Sequence, residues 1–276
     1  MPDHTMTPDQ RYCFDTSGFL HLEGVLQGAE LQTVQEAVQR YVDTPTEELP
    51  PGFQAANGNY SHGFAFDKAL EALTVHPRTW PIVKELTDCK PRFASGTMRV
   101  NSHAQNLFGP LHSARDDWGP QTPRYIAEGG RIYCDYFVVF FYFTDVRPGD
   151  GGLVVVPGSH KSQFKRPASF FVPDQEDANP APHPAVLNIT PKAGDVVIIS
   201  ELLTHGVLIW KPTDRDRRFI MMRYVPQFIG PTDDNLPFPF PDEILDRLSP
   251  ETRELIEFAP RSRVKDIVAQ DVVTLS

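Results

Sequence analysis

Between residues 28 and 42 the apolar side chains Leu31, Val34, Val38, Tyr41 and Val42 recur three and four positions apart. That is the spacing of one helical face, so an amphipathic helix is predicted there. A shorter helix is predicted ahead of it, because Thr7, Pro8 and Gln10 have the order of a capping box with proline at the first helical position. "GFLHLEGVL" between the two has an extended pattern. A Pro-, Gly- and Asn-rich stretch, "TPTEELPPGFQAANGNYSHG", forms a loop, after which helical spacing returns over residues 67–74 and 78–87, with Pro81 near the start of the second.

After Pro91 the period changes. "RFASGTMRV", "RIYCDYFVVFFYFTDV", "GLVVVPGS", "AVLNIT", "DVVIIS", "GVLIW" and "RRFIMMRYV" are rich in β-branched and aromatic residues, and Gly/Pro turns such as "RPGDGG" and "PKAGD" separate them. Many short strands punctuated in this way predict a mainly β fold with flanking helices, its core a double-stranded β-helix (a jelly roll, cupin-like). Ser249 and Pro250 open a last helix as N-cap and first helical residue. With no repeat and no linker, one domain over residues 1–276 is expected. Residues 1–90 would supply helices and a first strand, 91–226 the jelly roll and 227–276 a helical tail.

Composition narrows the partners. The net charge of −10 and pI of about 5.3 leave no basic face for nucleic acid or an anionic membrane, so a small molecule is the expected partner. The longest apolar run, "YFVVFFYF", is far too short to span a bilayer and predicts a buried strand. Cys13, Cys89 and Cys134 are odd in number and widely spaced, which argues against a disulfide framework or a thiolate zinc site. The N-terminus has neither a basic nor an apolar leader region, and a cytoplasmic location is expected.

Of the histidines, His4, His76 and His183 lie in polar or Pro-flanked stretches and are expected at the surface, while His21 and His62 have ordinary strand and loop contexts. His160 ends a strand in "VVVPGSHKS", which fits a structural or supporting role. His112 follows a Gly-Pro turn just before an acidic cluster, and His205 begins a strand after the apolar run "DVVIIS". Downstream, "DRDRR" carries Arg215, Arg217 and Arg218. Strand alternation sets Arg217, Phe219 and Met221 on one face and Arg218, Ile220 and Met222 on the other. One arginine then points into the barrel, where a guanidinium needs a carboxylate. Two histidines and a carboxylate with open positions make the facial triad of non-haem iron(II) oxygenases.

Five segments carry a resemblance to the phytanoyl-CoA dioxygenase family: "GFLHLEGVL", "GPLH", "FFYFTDVRPGDGGLVVVPGSHKS", "AGDVVIISELLTHG" and "RRFIMMRY". The chain resembles that family over roughly residues 7–226. The resemblance implies an iron(II)- and 2-oxoglutarate-dependent oxygenase that hydroxylates an aliphatic C–H of a small molecule. It sets His112 and His205 on the two iron-binding histidines. Arg217 falls on the 2-oxoglutarate-binding arginine, with Arg215 and Arg218 open because the loop after His205 is one residue longer.

The chain departs from the family where His-x-Asp is expected, because residue 114 is alanine. Three accounts follow. A helical turn after His112 would bring Asp116, four residues on, to the metal as the missing carboxylate. Alternatively the position is open, as in the related halogenases, where chloride takes the aspartate's place. In the third account the metal site is degraded, and a non-catalytic cupin-like binding protein remains. Asp116 and Asp117 adjoin Arg115, so one of them can instead pair at the surface.

Overall fold

The computed structural model describes residues 6–105, 109–118, 123–167, 170, 183–230 and 240–265. Thr7 caps α1 (Pro8–Ser17) as the sequence predicts: its hydroxyl accepts from the Gln10 amide at 3.2 Å, and the Gln10 side chain accepts from the Thr7 amide at 2.9 Å. The chain continues as β1 (Phe19–Leu22), then α2 (Gly28–Asp43), which buries Val34, Ala37, Val38 and Tyr41. A short ribbon of β2 (Ala55–Ala56) and β3 (Asn59–Tyr60) leads to α3 (Lys68–Glu71) and α4 (Trp80–Leu86). The helix expected over residues 67–74 is shorter than its pattern, because a 3-10 turn takes over at Ala72–Val75.

The jelly roll begins with β4 (Pro91–Asn101), β5 (Gly109–His112), α5 (Ala114–Trp118), β6 (Tyr125–Glu128), β7 (Arg131–Cys134) and β8 (Phe137–Tyr142). It continues through β9 (Gly152–Val155), β10 (Leu187–Asn188), β11 (Val196–Ser200), β12 (His205–Leu208) and β13 (Arg217–Pro226). Two short helices, α6 (Asp242–Leu245) and α7 (Pro250–Ile256), follow. None of the described helices is long and apolar enough to cross a membrane.

Seven strands form one sheet in the order β1-β11-β8-β13-β4-β3-β2, and four form the facing sheet in the order β10-β9-β12-β5. The N-terminal segment is therefore woven into the barrel: β1 is an edge strand paired with β11. Both faces of the larger sheet are buried, which explains the unbroken apolar run at residues 136–143. Phe137, Val139 and Phe141 pack toward the helices with Val34, Tyr41 and Trp80, whereas Val138, Phe140 and Tyr142 pack between the sheets. The stretch "RIYCDYFVVFFYF", expected as one strand, is broken at Asp135. There β7 pairs with β6 in a separate hairpin, and β8 enters the large sheet.

Candidate functional site

The mouth of the smaller sheet brings together two residues that are 93 apart in sequence. His112 ends β5, His205 begins β12, and the two are direct partners in the antiparallel register. Opposed residues share a face, so the rings meet with centroids 4.3 Å apart and planes inclined by 55°. Each ring is oriented in the same way. His112 Nδ1 lies 2.9 Å from the Pro110 carbonyl, and His205 Nδ1 lies 2.7 Å from the Leu203 carbonyl. A carbonyl can only accept, so each Nδ1 donates, and in a neutral ring Nε2 is left with its lone pair. His205 is 8% exposed, and burial holds its pKa below the ordinary value, reinforced by His112 and opposed by Glu201. Two oriented imidazoles side by side, each with Nε2 turned away from its backbone partner, are what a metal of borderline softness binds.

Both rings open into a cavity of about 420 Å³. Its apolar wall includes Phe140, Leu153, Phe219 and Met221, and its charged lining is Arg99, Glu201, Arg217 and Arg223. Arg217 stands at the start of β13, in the large sheet opposite the histidines. It is 1% exposed. Its Nη1 donates to Asn101 Oδ1 at 3.2 Å and its Nη2 to the Tyr142 hydroxyl at 3.1 Å, while the guanidinium lies 4.1 Å above the Phe219 ring. Nε has no partner, and among the described residues no carboxylate pairs with this cation. Gly152 of β9 lets the side chain through, since a Cβ there would stand 3.2 Å from Arg217 Nε. A buried guanidinium without a counter-ion is costly unless an anion arrives to meet it.

The other two candidate arginines point elsewhere. Arg215 pairs with Asp150 and Asp214, and Arg218, on the opposite face of β13, reaches Gln39 and Asp216.

Asp116 is not brought to the histidines. The helical turn after His112 exists, but α5 starts at Ala114 while His112 still belongs to β5. Both members of an i,i+4 pair must be helical to share a face, and here one is not. The Asp116 carboxylate is 38% exposed and accepts from Arg166 at 2.9 Å and from the Ser113 hydroxyl at 3.3 Å. It lines a neighbouring cavity. Ala114 is buried, its methyl packed with Ala94, Tyr136, Leu202 and Val225, and it does not line the histidine cavity.

Glu201 is the carboxylate that lies beside His205 and lines the same cavity as both histidines, and nothing in its sequence context singled it out. It is 7% exposed, and Oε2 lies 3.6 Å from His205 Nε2 while Oε1 accepts from Arg223 Nε at 3.1 Å. Among the described residues no group of three His, Cys, Asp or Glu side chains is placed to hold a metal ion. Elsewhere, His160 is 1% exposed with no partner for either ring nitrogen, standing edge-on to Tyr125. His76, expected at the surface, is buried beside Glu30 and Phe141. His4 lies outside the described residues.

The chain matches the phytanoyl-CoA dioxygenase (PhyH) family over residues 14–207. No curated protein matches it in sequence. Among solved structures, HygX from Streptomyces hygroscopicus with nickel and 2-oxoglutarate bound is 25% identical, with 82% of this chain and 89% of that one aligned at a TM-score of 0.64. EctD from S. alaskensis, with 2-oxoglutarate and 5-hydroxyectoine, is 17% identical over 82% of this chain and 78% of its own, also at 0.64. SnoK, a non-haem α-ketoglutarate-dependent carbocyclase from nogalamycin biosynthesis, is 18% identical over 89% and 92% at 0.58. The likeness to the last two is one of fold.

Proposed function

The chain belongs to the phytanoyl-CoA dioxygenase family, and from that premise we propose that it hydroxylates an aliphatic C–H bond of a small molecule. It is an iron(II)- and 2-oxoglutarate-dependent oxygenase, and in this reading His112 and His205 hold the iron while Arg217 holds the distal carboxylate of 2-oxoglutarate. The carrying observation is the Arg217 guanidinium, buried in the histidine cavity with no carboxylate of its own. The residues fit the metal and its co-substrate: two imidazoles offer Nε2 lone pairs, and a cation waits on the facing sheet.

When bound, iron(II) and 2-oxoglutarate supply the oxidation, with dioxygen consumed and the co-substrate decarboxylated to succinate. The chain's own part is positioning. The Pro110 and Leu203 carbonyls fix the imidazole tautomers, so both rings present Nε2 without reorganisation. Asn101 and Tyr142 set the plane of the Arg217 fork, and a planar fork matches a carboxylate with two parallel hydrogen bonds. Phe140, Leu153, Phe219 and Met221 keep the wall apolar, which limits water beside the reacting C–H. A small-molecule substrate accords with HygX, which has been crystallised with hygromycin B bound.

The test measures iron(II)- and 2-oxoglutarate-dependent stabilisation together with succinate release. Wild-type protein should gain melting temperature with both ligands, and His205→Ala should not. Ligand binding without any succinate, across a panel of candidate substrates, would point instead to a binding protein built on the same fold. No stabilisation by saturating ligands would defeat the oxygenase reading.

A further inference from the structure

We propose that Glu201 supplies the carboxylate of the metal site, the role left open by Ala114. The inference rests on the iron-binding reading of His112 and His205 and extends it to a residue outside the His-x-Asp motif. Glu201 sits in the turn that links β11 to β12, four residues before His205, and its side chain lines the same cavity as both histidines. The two oxygens of the carboxylate are divided. Oε1 accepts from Arg223 Nε at 3.1 Å, and Oε2 faces His205 Nε2 at 3.6 Å.

That 3.6 Å gap is the informative distance. It is longer than a hydrogen bond. Nδ1 is engaged by the Leu203 carbonyl, so Nε2 is the ring nitrogen turned toward the carboxylate. Two potential ligand atoms thus face each other across the gap. A cation bonded to each at about 2.0–2.2 Å spans such a gap. Arg223 then acts as the outer partner that orients a ligating carboxylate by its non-ligating oxygen. In this role Oε2 joins the two imidazoles as a ligand while Oε1 stays with Arg223. Asp116 has no comparable route, being turned outward to Arg166.

The test is an anaerobic titration of the full chain with iron(II) at saturating 2-oxoglutarate, followed by the visible charge-transfer band of the chelate and by metal retained after desalting. Wild type, Glu201→Gln, Glu201→Asp and His205→Ala are compared, with and without chloride. Glu201→Gln preserves shape and an acceptor for Arg223, so it should fold, which its metal-free melting curve checks. Its iron affinity should fall at least tenfold to a hundredfold. Glu201→Asp keeps the charge but withdraws the oxygen by one carbon, and should fall as well. Recovery of wild-type affinity by Glu201→Asp would show that only charge near the site matters, and would overturn ligation. Unchanged affinity in Glu201→Gln overturns it too, as does chloride tightening iron equally in wild type and Glu201→Gln. Failure of the wild type itself to bind iron would sink the underlying oxygenase reading, an outcome distinct from the other three.

Discussion

Replacing Arg217 by lysine tests the co-substrate site most sharply, because it keeps the charge and removes only the geometry. In the wild type the guanidinium is held by Asn101 and Tyr142 over Phe219, its remaining N–H groups free for an incoming carboxylate. A lysine ammonium is a point charge on a shorter head and cannot give the parallel pair of hydrogen bonds. A hydrogen bond to a charged group contributes about 1.5–3 kcal/mol, so losing one weakens 2-oxoglutarate binding roughly 10- to 150-fold. At a concentration about 100 times the wild-type Kd, the ligand stabilises wild type by about 2.7 kcal/mol. At the same concentration it stabilises the variant by only about 0.3–1.4 kcal/mol. At about 2–4 °C per kcal/mol for a chain of this size, the ligand-induced rise in Tm falls from roughly 5–11 °C to roughly 1–6 °C. Differential scanning fluorimetry with iron(II) present throughout measures it, and iron binding itself should persist. A full ligand shift in Arg217→Lys, with the defect appearing in Arg215→Lys or Arg218→Lys, would refute the assignment of the cation.

Three further outcomes are expected. Asp116→Ala should leave iron affinity unchanged and cost no more than about 0.2–1 kcal/mol of stability, the worth of an exposed ion pair; loss of iron would return Asp116 to the metal. Ala114→Asp should destabilise the fold by at least about 1–3 kcal/mol in urea denaturation, since it buries a carboxylate among Ala94, Tyr136, Leu202 and Val225; an unchanged midpoint with tighter iron binding would show that residue 114 faces the metal. Burial, aided by the charge of Lys161, pushes His160 down to about 4. The unfolded chain therefore takes up a proton near pH 6.5 that the folded chain refuses until about pH 4, and stability falls as pH drops through that window, by about 3 kcal/mol in all. His160→Gln should flatten the pH 4–6.5 slope in urea denaturation by up to about 1.4 kcal/mol per pH unit, and an unaltered slope would mean the ring is already satisfied.

Local chemistry was legible in the sequence, and contacts across the fold were not. The α1 capping box and the alternation that sets Arg217 and Arg218 on opposite faces depend on neighbours in the chain, and both are seen; which of the two faces inward was not fixed by alternation. The pairing of His112 with His205 depends on the register of β5 against β12, which no local pattern encodes. Asp116 was misplaced because the turn begins two residues after His112, a boundary finer than periodicity resolves. Glu201 stands four residues before His205. An irregular turn separates the two, however, so neither strand nor helix periodicity gives their relative direction.

The histidines stand on one sheet and Arg217 on the other. In the proposed reading, a dicarboxylate held by the iron on one side and Arg217 on the other bridges the interior of the sandwich, and the backbone sets the span. Facing sheets lie about 10 Å apart, and Arg217 is itself pinned by Asn101, Tyr142 and the passage beside Gly152. On that reading the two walls would act as a length gauge, favouring a five-carbon over a four-carbon keto diacid.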